Sequence, residues 1–401
     1  MRCVSGGGAL AQACSTPRWA WPPPASTMRL ILPAIAPSCT ASRPTASPGF
    51  LLPAARLWAA ALMSPVIAFA PPEPADWQAQ QRAARLTTAA LLDHVGLTPA
   101  DFSAGVVDDP DFPVSVPPHF LAQIRPGDAQ DPLLLQVLAR GEELLPQPGR
   151  LTDPLEEADY RAAPGVLRKY RSRALLIASG ACAIHCRYCF RRHYDYGAAM
   201  LTRSGEAEAL AVIAGDPAIE EVILSGGDPL SLSDARLAAL VTAIAAISHV
   251  TTLRLHSRTL VAIPDRVTPA LLDLIRATRL NVVIVIHSNH ERELSPAVSV
   301  ALGRLRAAGV TLLNQSVLLA RVNDDAITLA ALSRRLFAAG VLPYYLHLTD
   351  PVAGAAHFDV DEARAAAIDA ELRGLLPGYL VPRIVREVPG KTAKTPLWAL
   401  D

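Results

Sequence analysis

From residue 170 onward, short apolar runs alternate with longer segments in which apolar residues recur at helical spacing. The runs are Ala174–Ala178, Glu221–Leu224, Thr251–Leu255, Asn281–Ile286, Thr311–Leu319 and Pro343–Leu348. Helical patterns lie near 204–214, 233–246, 268–278, 296–308, 326–339 and 360–375. Regular alternation of this kind predicts an α/β fold, a parallel sheet with helical crossovers. Six units fit a partial (β/α)6 barrel better than a closed barrel of eight.

The barrel is expected to span 166–378 and to be followed by a short segment, 379–401, whose Leu380–Val388 run has the character of a further strand. Ahead of it, 63–165 reads as a mainly helical region. Ala75–Val95 and Asp131–Leu145 have helical spacing, Pro113–Pro118 is a loop, and no candidate chemistry stands out. Polar residues collect after each predicted strand. The cysteines follow the first, and Ser225-Gly226-Gly227-Asp228-Pro229 follows the second. His256-Ser257-Arg258 and His287-Ser288-Asn289-His290 come next, then Asn314-Gln315-Ser316 and Asp350. In parallel barrels the C-terminal strand ends carry the chemistry.

Charge narrows the class. The 37 basic and 37 acidic residues cancel, which argues against a nucleic-acid binder with a basic excess. No apolar run reaches the roughly 18 residues of a membrane helix, so a cytoplasmic location is expected. Residues 1–62 differ from the rest: they hold no Asp or Glu, five arginines and nine prolines. They could be a transit-like presequence, or a signal peptide ending in the apolar stretch Leu57–Ala70, which Pro65 interrupts. The reading adopted is a non-native or disordered extension, with translation starting at Met63.

Three of the six cysteines, Cys3, Cys14 and Cys39, are scattered; Cys182, Cys186 and Cys189 form a C-x3-C-x2-C cluster. Three soft thiolates on a loop after a strand suit zinc or an iron–sulfur cluster. Zinc would need a fourth ligand, for which His185 and His193 are candidates. Three thiolates on a four-iron cluster instead leave one iron open, and the position after the first barrel strand favours this reading.

The spacing, with Tyr188 just before the last cysteine, resembles the radical S-adenosylmethionine superfamily. There the open iron binds the amino and carboxylate groups of S-adenosylmethionine, and an electron from the cluster cleaves it to methionine and a 5′-deoxyadenosyl radical. The resemblance implies Cys182, Cys186 and Cys189 as ligands of a [4Fe–4S] cluster. It also places Tyr188, Ser225, Gly226, Gly227 and Asp228 beside S-adenosylmethionine, glycines letting the backbone come close to a ligand.

A second signal lies among the basic residues. Lys169, Lys391 and Lys394 are the only lysines against 34 arginines. Where Arg supplies the general positive charge, a retained Lys points to chemistry that a guanidinium cannot perform, such as imine formation with an aldehyde cofactor. The alternative is a pair of solvated tail lysines.

Long stretches decide between them. Thr152–Glu157, Cys186–His193, Leu224–Leu230, Val310–Leu319, Pro343–His347, Gly354–Phe358 and Gly378–Pro382 are similar to the lysine 2,3-aminomutase family over about residues 76–398, and most of all to its elongation factor P β-lysylation branch. The similarity implies Lys394, in its Lys-Thr-Pro setting, as the catalytic lysine that carries pyridoxal 5′-phosphate, with Lys391 as second candidate. Lys169, Tyr170 and Arg173 match the positions that hold the cofactor phosphate, two cations and a phenol suiting a dianion. Arg191 matches the arginine that pairs with the substrate carboxylate, while Asp350 and Glu387 match the acids facing its distal ammonium. Catabolic members have Asp at the last position, so Glu387 adds a methylene. His287 and Gln315 match positions near S-adenosylmethionine. The bland reading of each charged residue is a surface ion pair.

Two carboxylates suit a lysine ammonium by charge complementarity and not a glutamate side chain. The expected activity is therefore isomerisation of L-lysine to β-lysine. Expected partners are an electron donor protein and, indirectly, elongation factor P with its lysyl ligase, and neither nucleic acid nor membrane. Three rivals remain: a catabolic lysine 2,3-aminomutase, against which the absence of any cysteine after Cys189 speaks; a radical enzyme without pyridoxal phosphate; and a zinc-binding module without activity.

Overall fold

The computed structural model describes residues 76–400. The expectations for 1–62, for Leu57–Ala70 and for a start at Met63 lie outside the described residues.

Ten strands form one sheet in chain order. They are β1 (Arg161–Ala163), β2 (Val166–Tyr170), β3 (Arg173–Ser179), β4 (Glu221–Gly226) and β5 (Thr252–Ser257), followed by β6 (Asn281–Ile286), β7 (Thr311–Val317), β8 (Leu342–His347), β9 (Arg383–Arg386) and β10 (Thr395–Pro396). Each neighbouring pair from β3 to β9 is parallel, while β1–β2–β3 and β9–β10 are antiparallel. The six predicted strands are β3 to β8. The run Leu380–Val388 contributes β9 as a seventh parallel strand.

Helices Glu206–Ala214, Asp234–Ala245, Pro269–Ala277, Pro296–Ala307, Ala326–Ala338 and Glu362–Leu375 follow β3 to β8 in turn. Their starts are written locally. Ser233, Thr268, Ser295, Asp325 and Asp361 each accept a first-turn backbone N–H, a cap worth about 1 kcal/mol apiece. In Asp234–Ala245 the buried residues are Leu237, Leu240, Val241 and Ile244, a single stripe turned to the sheet. Such stripes and the strands between them make the main core.

The region 63–165 departs from its helical expectation in three places. Ala75–Val95 is two helices, Trp77–Ala83 and Thr88–Val95. The break forms because Ala84 O accepts from Val116 N and Leu86 N donates to Val114 O, so extended backbone pairing overrides helical spacing. Asp131–Leu145 is helical only at Pro132–Leu135, with a 3-10 turn at Gly141–Leu144. There Gly141 lies so close to Ala104 that a Cβ would meet its carbonyl oxygen at 1.9 Å. Arg161–Ala163 is a strand, turned back onto β2 at Gly165, whose φ of +74° favours glycine. A small second core in this region includes Ala183 and Ile184 of the cysteine loop.

The sheet curls until its two ends touch. Tyr170 at the end of β2 donates to Glu387 just after β9 (2.6 Å), and Gly390 N donates to the Tyr160 hydroxyl (2.8 Å). The partial barrel is thus closed by side chains and not by strand pairing.

Neighbouring strand tips are also tied by side chains. The buried Asp228 accepts from Leu230 N (2.9 Å), Ser257 Oγ (3.0 Å), Arg258 N (2.8 Å) and Thr259 N (2.9 Å). Asp228→Asn turns an amide N–H toward these donors. It should lower unfolding free energy by about 3 kcal/mol, read from the denaturant midpoint at unchanged slope.

Candidate active site

A cavity of about 300 Å³ opens where β3 to β9 end, and it is lined by the three cysteines, Lys394 and every residue matched to S-adenosylmethionine, cofactor phosphate or substrate. Its rim begins with the cysteine loop, which is pinned by its backbone. His185 N donates to Ser115 O, Arg187 N to Gln136 O, and Cys189 N to Cys186 O. The thiols of Cys182, Cys186 and Cys189 are free and face the cavity. Burial pushes all three up, Cys189 to about 11, with the neighbouring thiols adding to the rise at Cys182 and Cys189. A donor set of this kind ionises readily only around a positively charged metal centre.

Neither histidine reaches that centre. His185 stacks on Phe112 (4.8 Å between centroids) with Nδ1 2.7 Å from Pro113 O, and His193 Nε2 lies 3.1 Å from Ala353 O. Among the described residues no three His, Cys, Asp or Glu side chains converge on a single ion. Three thiols on one loop facing the cavity fit a four-iron cluster that keeps one iron open.

Gly226 and Gly227 line the cavity and also allow a close backbone approach. A Cβ on Gly226 would meet Ser179 O at 2.5 Å, and one on Gly227 would meet Ala181 O at 2.5 Å. They let the end of β4 press against the cysteine loop, and Gly227 N donates to Ser179 O there (2.7 Å). Ser225 Oγ and Gly226 O receive Arg191 Nη1 at 3.3 and 3.1 Å. Tyr188 OH accepts from Asn289 (2.6 Å). His287, pushed down to about 3 by burial and by Arg258, is neutral and accepts from the Gln315 amide at 2.6 Å.

The opposite wall is built from the sheet's two ends. Glu387 Oε1 takes Lys169 Nζ (2.7 Å) and the Tyr170 hydroxyl, while its Oε2 takes Lys394 Nζ (2.6 Å). Arg173 lies over the Tyr170 ring at 4.0 Å. Burial raises the Glu387 carboxyl, but Lys394, Lys169 and Tyr170 outweigh it and bring it to about 2. Asp350 has no such partner among the described residues; burial pushes it up to about 7. Lys391 is exposed and does not line the cavity.

Sequence reasoning missed Glu157, which lies in the region that showed no chemistry. Its carboxylate forks onto Arg191 at 2.6 and 2.7 Å and lines the cavity. The stretch Thr152–Glu157 was the available signal. His256 and His347 also line the cavity, and among the described residues His256 Nε2 is buried without a hydrogen-bond partner.

A parallel barrel with three free thiols at its strand tips is the architecture of an iron–sulfur enzyme, and residues 171–283 match a family model described as a 4Fe-4S single cluster domain. The chain is 48% identical over 286 residues to L-lysine 2,3-aminomutase of Escherichia coli K12, covering 71% of this chain and 83% of that one. The Haemophilus influenzae protein of the same name is 45% identical over 76% of this chain and 90% of its own. That of Clostridium subterminale is 32% identical over 80% and 77%. Among solved structures, a radical SAM methyltransferase from Sphaerobacter thermophilus matches at TM-score 0.40 and 17% identity, covering 55% of this chain and 68% of that one. The chain belongs to the L-lysine 2,3-aminomutase family. It is an isomerase, and its cofactors include a [4Fe–4S] cluster.

The Glu387 junction has a pH signature. A carboxyl depressed in the fold contributes stability that is full above its unfolded value of about 4.5 and lost as pH falls toward about 2. Denaturant unfolding of the parent and Glu387→Gln should therefore show a gap that is constant near neutrality and narrows between pH 4.5 and 2.

Proposed function

We propose that the chain converts L-lysine to β-lysine by migration of the amino group from the second to the third carbon, with S-adenosylmethionine and pyridoxal 5′-phosphate as further cofactors. The observation that carries this reading is one cavity lined by three free thiols, the amines of Lys169 and Lys394 and the acids Asp350 and Glu387. The name shared by the relatives agrees with lysine as substrate. When bound, the cluster with S-adenosylmethionine supplies a radical that takes hydrogen from the third carbon, and pyridoxal phosphate supplies the aldehyde through which nitrogen moves.

Each residue then has a task set by its chemistry. Lys394 offers the amine that attaches the cofactor. Lys169, Tyr170 and Arg173 are donors for its phosphate, and a dianion there relieves Glu387 of two of its present partners. Glu387 would offer Oε2 to the distal ammonium of lysine in place of the Lys394 amine it holds here. Asp350, already unpaired, accepts from the same group. Arg191 has given Nε and one Nη2 hydrogen to Glu157 and Nη1 to Ser225 and Gly226. That leaves one Nη2 hydrogen for the substrate carboxylate. Cys182, Cys186 and Cys189 hold the cluster. Tyr188, Ser225, Gly226, Gly227, Asp228, His287 and Gln315 form the surface offered to S-adenosylmethionine.

β-Lysine made here is assigned to modification of elongation factor P through a separate ligase, in the cytoplasm, with reducing electrons from a donor protein.

Anaerobic reconstitution with labelled lysine and labelled glutamate tests the reading. β-Lysine is the expected product, and turnover of glutamate alone would refute it. Lys394→Ala should abolish turnover while leaving the cluster absorbance intact. Because an ammonium needs ionised Asp350, KM for lysine should rise roughly tenfold per pH unit below about 7. Asp350→Asn should flatten that profile.

A further inference from the structure

We infer that Arg192 is a positioning residue that ties the cysteine loop to the segment carrying Asp350, so that the cluster and the substrate-ammonium site move as one body. The inference rests on the proposed reading for what Asp350 binds. The joint itself is a matter of contacts.

Arg192 lies three residues past Cys189, and its side chain is 3% exposed. Nη2 pairs with Glu143 Oε2 at 2.6 Å, and Nη1 donates to Gly354 O at 2.9 Å and to Arg187 O at 3.2 Å. Glu143 also holds Arg187 through Nε (2.9 Å) and Nη2 (2.5 Å). One buried carboxylate therefore grips the loop on both sides of Cys189. The guanidinium crowds Gly354, where φ is +83° and a Cβ would stand 2.8 Å from Nη1. The next residue repeats the contact, His193 Nε2 reaching Ala353 O.

On the far side, residues 350–354 have little freedom. Leu151 N donates to Pro351 O and Ala353 N to Leu151 O, both at 2.9 Å, and Val352 N donates to Asp350 O at 2.7 Å. Val352 is buried. A displacement of Arg192 thus passes to Gly354 and through a stitched turn to Asp350. A lysine at 192 would keep the charge but offers a single nitrogen, which cannot span Glu143 Oε2 and Gly354 O in the same plane.

The test uses the full chain reconstituted anaerobically as the parent, Arg192→Lys, Gly354→Ala and the double variant. Iron and sulfide per chain, the electron paramagnetic resonance spectrum of the reduced cluster, and KM and kcat for lysine are measured on each. Each single variant is expected to retain the parent's iron, since the three thiols are untouched. Each should raise KM for lysine roughly tenfold, the scale of a lost buried charge-assisted hydrogen bond, with a smaller loss in kcat. The double variant should be no worse than the poorer single, because both break one joint. Gly354→Ala should also alter the reduced-cluster spectrum, although Gly354 touches no cysteine loop residue except through Arg192 and its neighbour. An unchanged KM in Arg192→Lys, independent effects that multiply, or an unaltered spectrum in Gly354→Ala would each overturn the inference. Loss of iron in Arg192→Lys would do the same, reducing Arg192 to a prop for the loop. Should the parent fail to turn over lysine, the functional reading falls, and the Gly354→Ala spectrum alone then decides whether the joint exists.

Discussion

Because β3 to β9 all run in the same direction, every connection has to return along the outside of the sheet, and whatever follows each strand gathers at one rim. The cysteine loop, the Ser225–Asp228 turn, His287, Gln315, Asp350 and Glu387 come from different units yet face one cavity for that reason. The curl of the sheet does the rest. It brings β2 against the segment after β9, and a single carboxylate, Glu387, gathers Lys169, Tyr170 and Lys394 from the two ends of the barrel.

The distribution of cations follows from their chemistry. Guanidinium groups sit where several acceptors must be satisfied out of water. Arg187 is held by Glu143 and Phe112 O, Arg191 by Glu157 and the β4 tip, and Arg266 by Asp234 and two carbonyls. A planar fork meets such sets with less loss of freedom than an ammonium. Two of the three lysines are at the one place where a primary amine has a distinct use. A buried pair contributes modest net stability, while loss of one partner leaves an uncompensated charge. These networks therefore fix geometry more than they add to folding free energy, and those of Arg187, Arg191 and Arg192 gather about the cysteine loop.

Much of this was legible along the chain. The alternation of short apolar runs and amphipathic segments located β3 to β8 and the six crossover helices, because strand and helix periods are properties of the local pattern and the caps are local too. The cysteine spacing and the lysine scarcity pointed to residues that do line the cavity. Three things were not legible. The helix expected over Ala75–Val95 is broken by pairing with Val114–Val116, a contact across the chain. Strands as short as Arg161–Ala163 have no period to detect. Glu157 and Glu143 are ordinary acids in an ordinary stretch, and only their burial against Arg191, Arg187 and Arg192 sets them apart.

By itself the sequence determined the order of elements, the direction of the sheet and the kinds of chemistry available, since thiols, a primary amine and acids are covalent facts that no fold can alter. Tertiary structure alone decided their company. It set Gly226 and Gly227 against the cysteine loop, left Asp350 unpaired among the described residues while Glu387 took three donors, and bound His185 and His193 to backbone carbonyls. Those outcomes depend on which distant segments share a low-dielectric space. There the strength of a charge or hydrogen bond is set by neighbours hundreds of residues away and by the exclusion of water.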